Sequence, residues 1–278
     1  MTYFLDFRTR SVGGGVVDPR LYEGDGTADP PALTLIPTIQ WRSVLDGKNL
    51  LFAAHGFNVS RTQGTRSLGL LDGYLGLGPL NLFIGILWPG DSWLPIVDYP
   101  FEGEVAIDCG RRLADFCNRW CVGAQSLSFL SHSLGARLVL EATTQLARQA
   151  QSVCLAAGAI NRDCLTAEYS GAAANAGVIS LLASHRDDVL KIAFSIGDPL
   201  SVLLHDDHTA FRAALGYDGP SPPAPQPVRP PWQIPDQAGY GHGDYLPPSA
   251  VGAPPNPQWP RAADFMKRAF LNQPQSWP

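Results

Sequence analysis

Hydrophobic and polar positions along the chain fall into two alternating kinds of segment. Short apolar runs without a polar face recur at 49–54 (NLLFAA), 82–87 (LFIGIL), 153–157 and 178–183, the pattern of strands covered on both faces. Residues 3–8 alternate like a half-buried strand that the glycines at 13–15 end, and 33–41 is a further strand candidate. Pro37 assigns that last run to an edge or a bulge, because it has no N–H for a ladder. Over 104–122, Val105, Cys109, Leu113, Phe116 and Trp120 recur at helical spacing, with Asp108, Arg111, Arg112, Asp115 and Arg119 between them. That is a helix with a charged outer face. Further helices are expected at about 136–149, in the alanine-rich 165–176, at 189–196, at 208–215 and at 261–271. Residues 18–31 (DPRLYEGDGTADPP) read as loop, and 218–235 (DGPSPPAPQPVRPPWQIP) as a stiff, extended surface connection. Strands alternating with helices of this length predict an α/β fold, a mostly parallel central sheet with helices on both faces. No internal repeat occurs, and one domain over 1–278 is expected, with a proline-rich insertion at about 218–235.

Composition narrows the partners. The chain has 25 acidic and 20 basic residues, a net charge of -5, and no basic run. That excludes a nucleic-acid partner bound through its phosphates. Its most apolar stretch, 68–87, is interrupted by Asp72, glycines and Pro79, so no transmembrane helix is expected. The opening MTYFLDFRTR lacks the apolar core of a signal peptide. Five cysteines leave at least one unpaired. Cys109, Cys117 and Cys121 follow the helical pattern and Cys154 a strand-like run, as small buried residues of a reducing compartment do. A cytoplasmic location is therefore expected. Cys117 and Cys121 lie four apart without a CxxC pair or matching histidine, so neither a metal nor another cofactor is expected.

The candidate chemistry centres on 126–135, SLSFLSHSLG. An apolar run enters it and a helical pattern leaves it. The central Ser-His-Ser-Leu-Gly is G-x-S-x-G with Ser131 in place of the first glycine. Between a strand and a helix this is a nucleophile elbow, which lifts the Ser133 hydroxyl above the sheet edge. Such a serine needs a base, an acid to orient the base, and donors for the oxyanion. In an open parallel sheet these gather at the carboxyl ends of the strands. The loop after 178–183, Ser184-His185-Arg186-Asp187-Asp188, offers two carboxylates. Asp188 suits a helix cap, which leaves Asp187 preferred as the acid. Three histidines follow. His205 and His208, in HDDH, read as polar residues of a helix start, although their spacing also suits a metal. His242 lies in the glycine-flanked loop Gly241-His242-Gly243-Asp244 and is taken as the base. The backbone amides of Leu134 and of Phe57, which follows His55-Gly56, are the oxyanion donors; His55 is expected to support its loop rather than touch substrate.

With these residues placed, the chain resembles the α/β-hydrolase superfamily. HGFN at 55–58, LWPG at 87–90 and HSLG at 132–135 are similar to a bacterial family of largely uncharacterised serine hydrolases. Its members share HGFN, F-x-W-P-S, H-S-M-G, an acidic loop and a late H-x-x-Y, the last matched here by His242 and Tyr245. The likeness runs from about 49 to 246; its departures are Ser131, Gly90 and the proline-rich insertion. It implies the α/β-hydrolase fold, an acyl-enzyme on Ser133, and Asp187 rather than Asp188 as the acid. The expected activity is cleavage of a small-molecule carboxylic ester without a cofactor. Apolar residues over 68–100, with Tyr74, Trp88 and Trp93, suit an apolar acyl or alcohol group. Rival readings are a lipase or phospholipase, an amidase or thioesterase, and a binding protein on the same fold. A dehalogenase needs a carboxylate where Ser133 stands, and is excluded.

Overall fold

The computed structural model describes residues 1–9, 14–91, 95–195, 213–248, 250 and 252–277. Strands β1 (Thr2–Arg8), β2 (Val16–Asp25), β3 (Ala32–Leu35), β4 (Asn49–Ala54), β5 (Asn81–Leu87), β6 (Ser126–His132), β7 (Ser152–Ala156), β8 (Ile179–Leu182) and β9 (Val228–Arg229) form one sheet. Their spatial order is β3-β2-β1-β5-β4-β6-β7-β8-β9. Only β1–β2 and β2–β3 pair antiparallel; from β1 through β5 to β9 every pairing is parallel. β6 therefore sits at the centre of the parallel part, flanked by β4 and β7.

Side-chain alternation splits the apolar runs between two cores. From β4, Leu50, Phe52 and Ala54 enter one and Leu51 and Ala53 the other. The first core lies under α1 (Trp41–Leu45), α3 (Pro95–Trp120), α4 (Gly135–Gln145) and α5 (Ser170–Ala174). There Phe52 stacks on Phe129 of β6 with centroids 5.6 Å apart. The second lies under α2 (Arg61–Leu75), Leu190 of α6 (Asp188–Ser195) and the closing helix Gln258–Phe270. A run apolar on both faces is thus what a parallel strand between two helical layers requires. All five cysteines are buried free thiols. Among the described residues no helix is long and apolar enough to cross a membrane.

Several elements depart from the sequence expectations, each for a local reason. Residues 16–25, expected as loop over 18–31, form β2 against β1, with a register shift between Asp6 and Arg8 that accommodates Pro19. The strand expected over 33–41 stops at Leu35; after Pro37 the chain turns through a 3₁₀ turn, Thr38–Gln40, into α1. Helix α2 was hidden by its glycines, yet its start is written in the sequence. Ser60 and Gln63 form a reciprocal capping box, and Gly76 closes the helix in the left-handed region. Helix α4 ends at Gln145 rather than 149 because side-chain amides take its last carbonyls: Asn118 Nδ2 donates to Gln145 O, and Asn175 Nδ2 to Thr143 O and Leu146 O. The alanine-rich helix is shorter than expected, Ser170–Ala174.

The largest difference concerns the proline-rich stretch. It supplies the sheet's edge: Ile179 N donates to Pro227 O (2.7 Å), Ala183 N to Trp232 O (2.8 Å) and Ile234 N to Ala183 O (2.8 Å). An edge strand needs amides on one side only, so Pro230 and Pro231 are tolerated there. Of the helix expected over 208–215, residues up to 212 lie outside the described residues, and a short helix, Leu215–Asp218, follows. His205, His208 and Trp93 also lie outside them.

Candidate active site

The turn between β6 and α4 holds Ser133 at φ 53°, a conformation that costs a side-chain-bearing residue roughly 1–3 kcal/mol. The surroundings over-determine it. Ser133 N donates to Ala156 O of β7 (3.0 Å), and Ser133 O accepts from Ala136 N and Ala159 N, each at 3.1 Å. Small neighbours are required on both sides of the turn. A Cβ on Gly135 would meet His55 O at 2.6 Å, and one on Gly56 would meet Ser133 Cβ at 3.0 Å. Ser131, by contrast, lies within β6, paired with Ala54 and Leu155, so the turn places no glycine requirement on it. Gly135→Ala is expected to cost about 1–3 kcal/mol through this overpacking. Thermal unfolding checks it, at about 2–4 °C of Tm per kcal/mol for a chain of this length.

Three side chains meet at this turn: Ser133 after β6, Asp187 after β8, and His242 from a 3₁₀ turn beyond β9. His242 Nε2 lies 2.9 Å from Ser133 Oγ and its Nδ1 2.8 Å from Asp187 Oδ2. A carboxylate only accepts, so Nδ1 carries the proton and Nε2 presents a lone pair to the serine O–H. Asp187 is fully buried, and its Oδ1 accepts from Leu190 N (3.0 Å) at the start of α6. Asp188 is exposed in the first turn of α6, away from the imidazole. Ser184 Oγ donates to Tyr240 O (2.6 Å), tying the acid loop to the histidine loop. An imidazole in this tautomer can take a hydroxyl proton while the carboxylate compensates the resulting charge.

The loop after β4 faces the turn. His55 Nδ1 donates to Gly56 O (2.8 Å), and Trp88 Nε1 donates to His55 O (2.8 Å) while its ring stacks on His55 at 5.5 Å. In a planar trans peptide the C=O and the next N–H point in opposite directions. Anchoring the Gly56 oxygen therefore sets the direction of the Phe57 amide. The Leu134 amide stands at the head of α4, among the first amides, which have no intrahelical acceptor. Arg8 and Asp91 form a buried ion pair beside this loop, and Arg8 donates to Trp88 O (2.7 Å) and Val59 O (3.1 Å). No periodicity in the sequence marks this brace; a lone arginine ending an apolar strand was its one signal. Gly90 packs over the Trp88 ring, where a Cβ would come within 2.7 Å. Leu68, Leu71, Leu75 and Trp88 are core residues, so they do not supply the apolar substrate surface read from 68–100.

Two histidines here stay neutral. Burial pushes the pKa of His55 down to about 3, and burial with the neighbouring His242 does the same to His132. An unfolded histidine titrates near 6.5, so between pH 6.5 and 3 the unfolded chain binds protons that the folded chain refuses. Stability is complete above pH 6.5 and falls as pH drops through that window. His55, 1 % exposed, is expected to remove about 2 kcal/mol between pH 6.5 and 5; His132, which keeps some contact with water, removes less. Urea midpoints at the two pH values measure the loss. Among the described residues no group of three or more His, Cys, Asp or Glu side chains is placed to hold a metal ion.

Residues 41–204, more than half of the chain, match the family described as "Alpha/beta hydrolase of unknown function (DUF900)". The chain belongs to that family. The match takes in the α/β-hydrolase's Ser133 and Asp187 and stops before His242. No curated protein matches this hydrolase. Among solved structures it is similar to the ydeN gene product from B. subtilis, at 18 % identity and a TM-score of 0.34, over 50 % of this chain and 73 % of that one.

Proposed function

We propose that the protein is a serine hydrolase that cleaves carboxylic esters of small molecules. The observation that carries this reading is the unbroken line from Asp187 through His242 to Ser133, at 2.8 and 2.9 Å, at the head of α4. Ser133 Oγ attacks the ester carbonyl as its proton passes to His242 Nε2. The amides of Phe57 and Leu134 receive the oxyanion. The tetrahedral adduct collapses with the proton going from Nε2 to the leaving alkoxide, which departs as the alcohol. A water then gives its proton to Nε2 and its oxygen to the acyl carbon; the same proton returns to Ser133 as the acid leaves. Asp187 holds the tautomer and offsets the imidazolium charge throughout.

The line of hydrogen bonds is complete, which disfavours a role in binding alone. Strands drawn from Thr2 to Arg229, closed by the helix Gln258–Phe270, support reading residues 1–278 as one domain. Five free thiols support a reducing, cytoplasmic setting. A series of p-nitrophenyl esters of rising acyl length tests the substrate class. Turnover of acetate and butyrate esters, declining with longer chains, is expected. Activity that rises with chain length and only at a lipid surface instead assigns a lipase, and activity confined to amides or thioesters overturns the ester reading.

A further inference from the structure

We propose that His132 is a positioning residue, whose Nε2–H holds the main-chain carbonyl of His242 and so fixes the base relative to the serine. This rests on the serine-hydrolase reading. His132 Nε2 lies 2.8 Å from His242 O. The carbonyl can only accept, so the ring nitrogen donates.

The geometry explains why such a tie is needed. His132 is the last residue of β6 and Ser133 follows it directly, so both share the central strand's rigid frame. His242 lies on no strand. It begins a three-residue 3₁₀ turn, His242–Asp244, bounded by Gly239 in the left-handed region and by Gly241. The bonds to Asp187 and Ser133 act on its ring, and Ser184 at Tyr240 O and Asp244 at Gly241 N hold the backbone on the near side of the turn. The bond from His132 acts on the backbone itself, one residue from the nucleophile. The His132 ring also packs against the His242 ring, with centroids 4.9 Å apart, and against Tyr245 at 6.0 Å. Burial and the neighbouring His242 hold its pKa down to about 3, so at neutral pH it places no like charge beside the imidazolium that forms during turnover.

The test separates the hydrogen bond from the packing. His132→Phe keeps an aromatic ring and loses the donor; His132→Asn is polar but too short to reach; His132→Gln carries an amide N–H to nearly the same point. His132→Phe and His132→Asn are expected to lower kcat by about 10²-fold, with KM and Tm close to those of the wild type. His132→Gln is expected to recover most of that loss. If the first two keep wild-type kcat, or if His132→Gln is as slow as His132→Phe, the proposal is overturned. In the wild type, the His132 Nε2–H proton should be visible and slow to exchange by ¹H–¹⁵N NMR at pH 7; rapid exchange also overturns it. This last measurement needs no variant to fold. It also holds whether or not Ser133 is the nucleophile, so full turnover by Ser133→Ala removes the serine reading and leaves the tie to stand or fall by itself.

Discussion

Ser133→Ala lowers ester turnover by about 10⁴- to 10⁶-fold while the chain keeps its fold. The size follows from what is removed. Among the described residues, the hydroxyl is the group hydrogen-bonded to His242 Nε2, at 2.9 Å, and so placed to hand it a proton while attacking a carbonyl. The amides of Phe57 and Leu134 remain, so the residual rate stays above that in water. The fold is retained because the turn is held through main-chain bonds to Ala156, Ala136 and Ala159, none of which uses the side chain. Loss of one side-chain hydrogen bond costs about 1 kcal/mol, far too little to unfold a chain of this size. Initial rates with p-nitrophenyl acetate, set beside the Tm of both proteins, check both halves of the expectation.

Asp187→Asn lowers kcat by about 10⁴-fold, although the substitution exchanges one oxygen for an amide. The reason lies on the other side of the carboxylate. Oδ1 accepts from Leu190 N at the start of α6, and an asparagine keeps that bond by leaving its own oxygen there. Its NH₂ then faces His242 Nδ1. Two donors cannot share the contact, so Nδ1 gives up its proton and Nε2 takes it. The imidazole now presents N–H to Ser133, where a lone pair is needed. Stability changes little, and KM stays close to that of the wild type because ground-state binding does not use the tautomer. A fall in KM matching that in kcat, or a kcat within tenfold of the wild type, contradicts this account of Asp187.

The site was legible in the sequence to the extent that it follows strand ends. Ser133, Phe57 and Asp187 each come just after an apolar run, and the structure gathers these ends at one edge of the sheet. Asp187 and Asp188 differ only in which side of a helix start they occupy. Burial of one and exposure of the other is a tertiary fact, and the capping argument misassigned the cap: Asp187, not Asp188, accepts from Leu190 N at the start of α6 while its other oxygen faces His242. The edge strand β9 left no pattern because two paired residues between prolines carry no alternation. Helix α2 left little because three glycines (Gly64, Gly69 and Gly73) dilute its apolar face, and one of them, Gly64, packs its backbone against the His55 ring. The support roles of His132 and Arg8 were invisible for another reason. Each donates to a main-chain carbonyl far along the chain, and a carbonyl has the same chemistry whatever residue bears it.

The central claim, that Ser133 is the nucleophile, is tested most directly by covalent trapping with a fluorophosphonate. Intact-mass measurement followed by peptide mapping is expected to find one adduct, on Ser133, in the wild-type chain and none in Ser133→Ala. A wild-type chain that stays unmodified, or a Ser133→Ala variant that is modified equally, contradicts it.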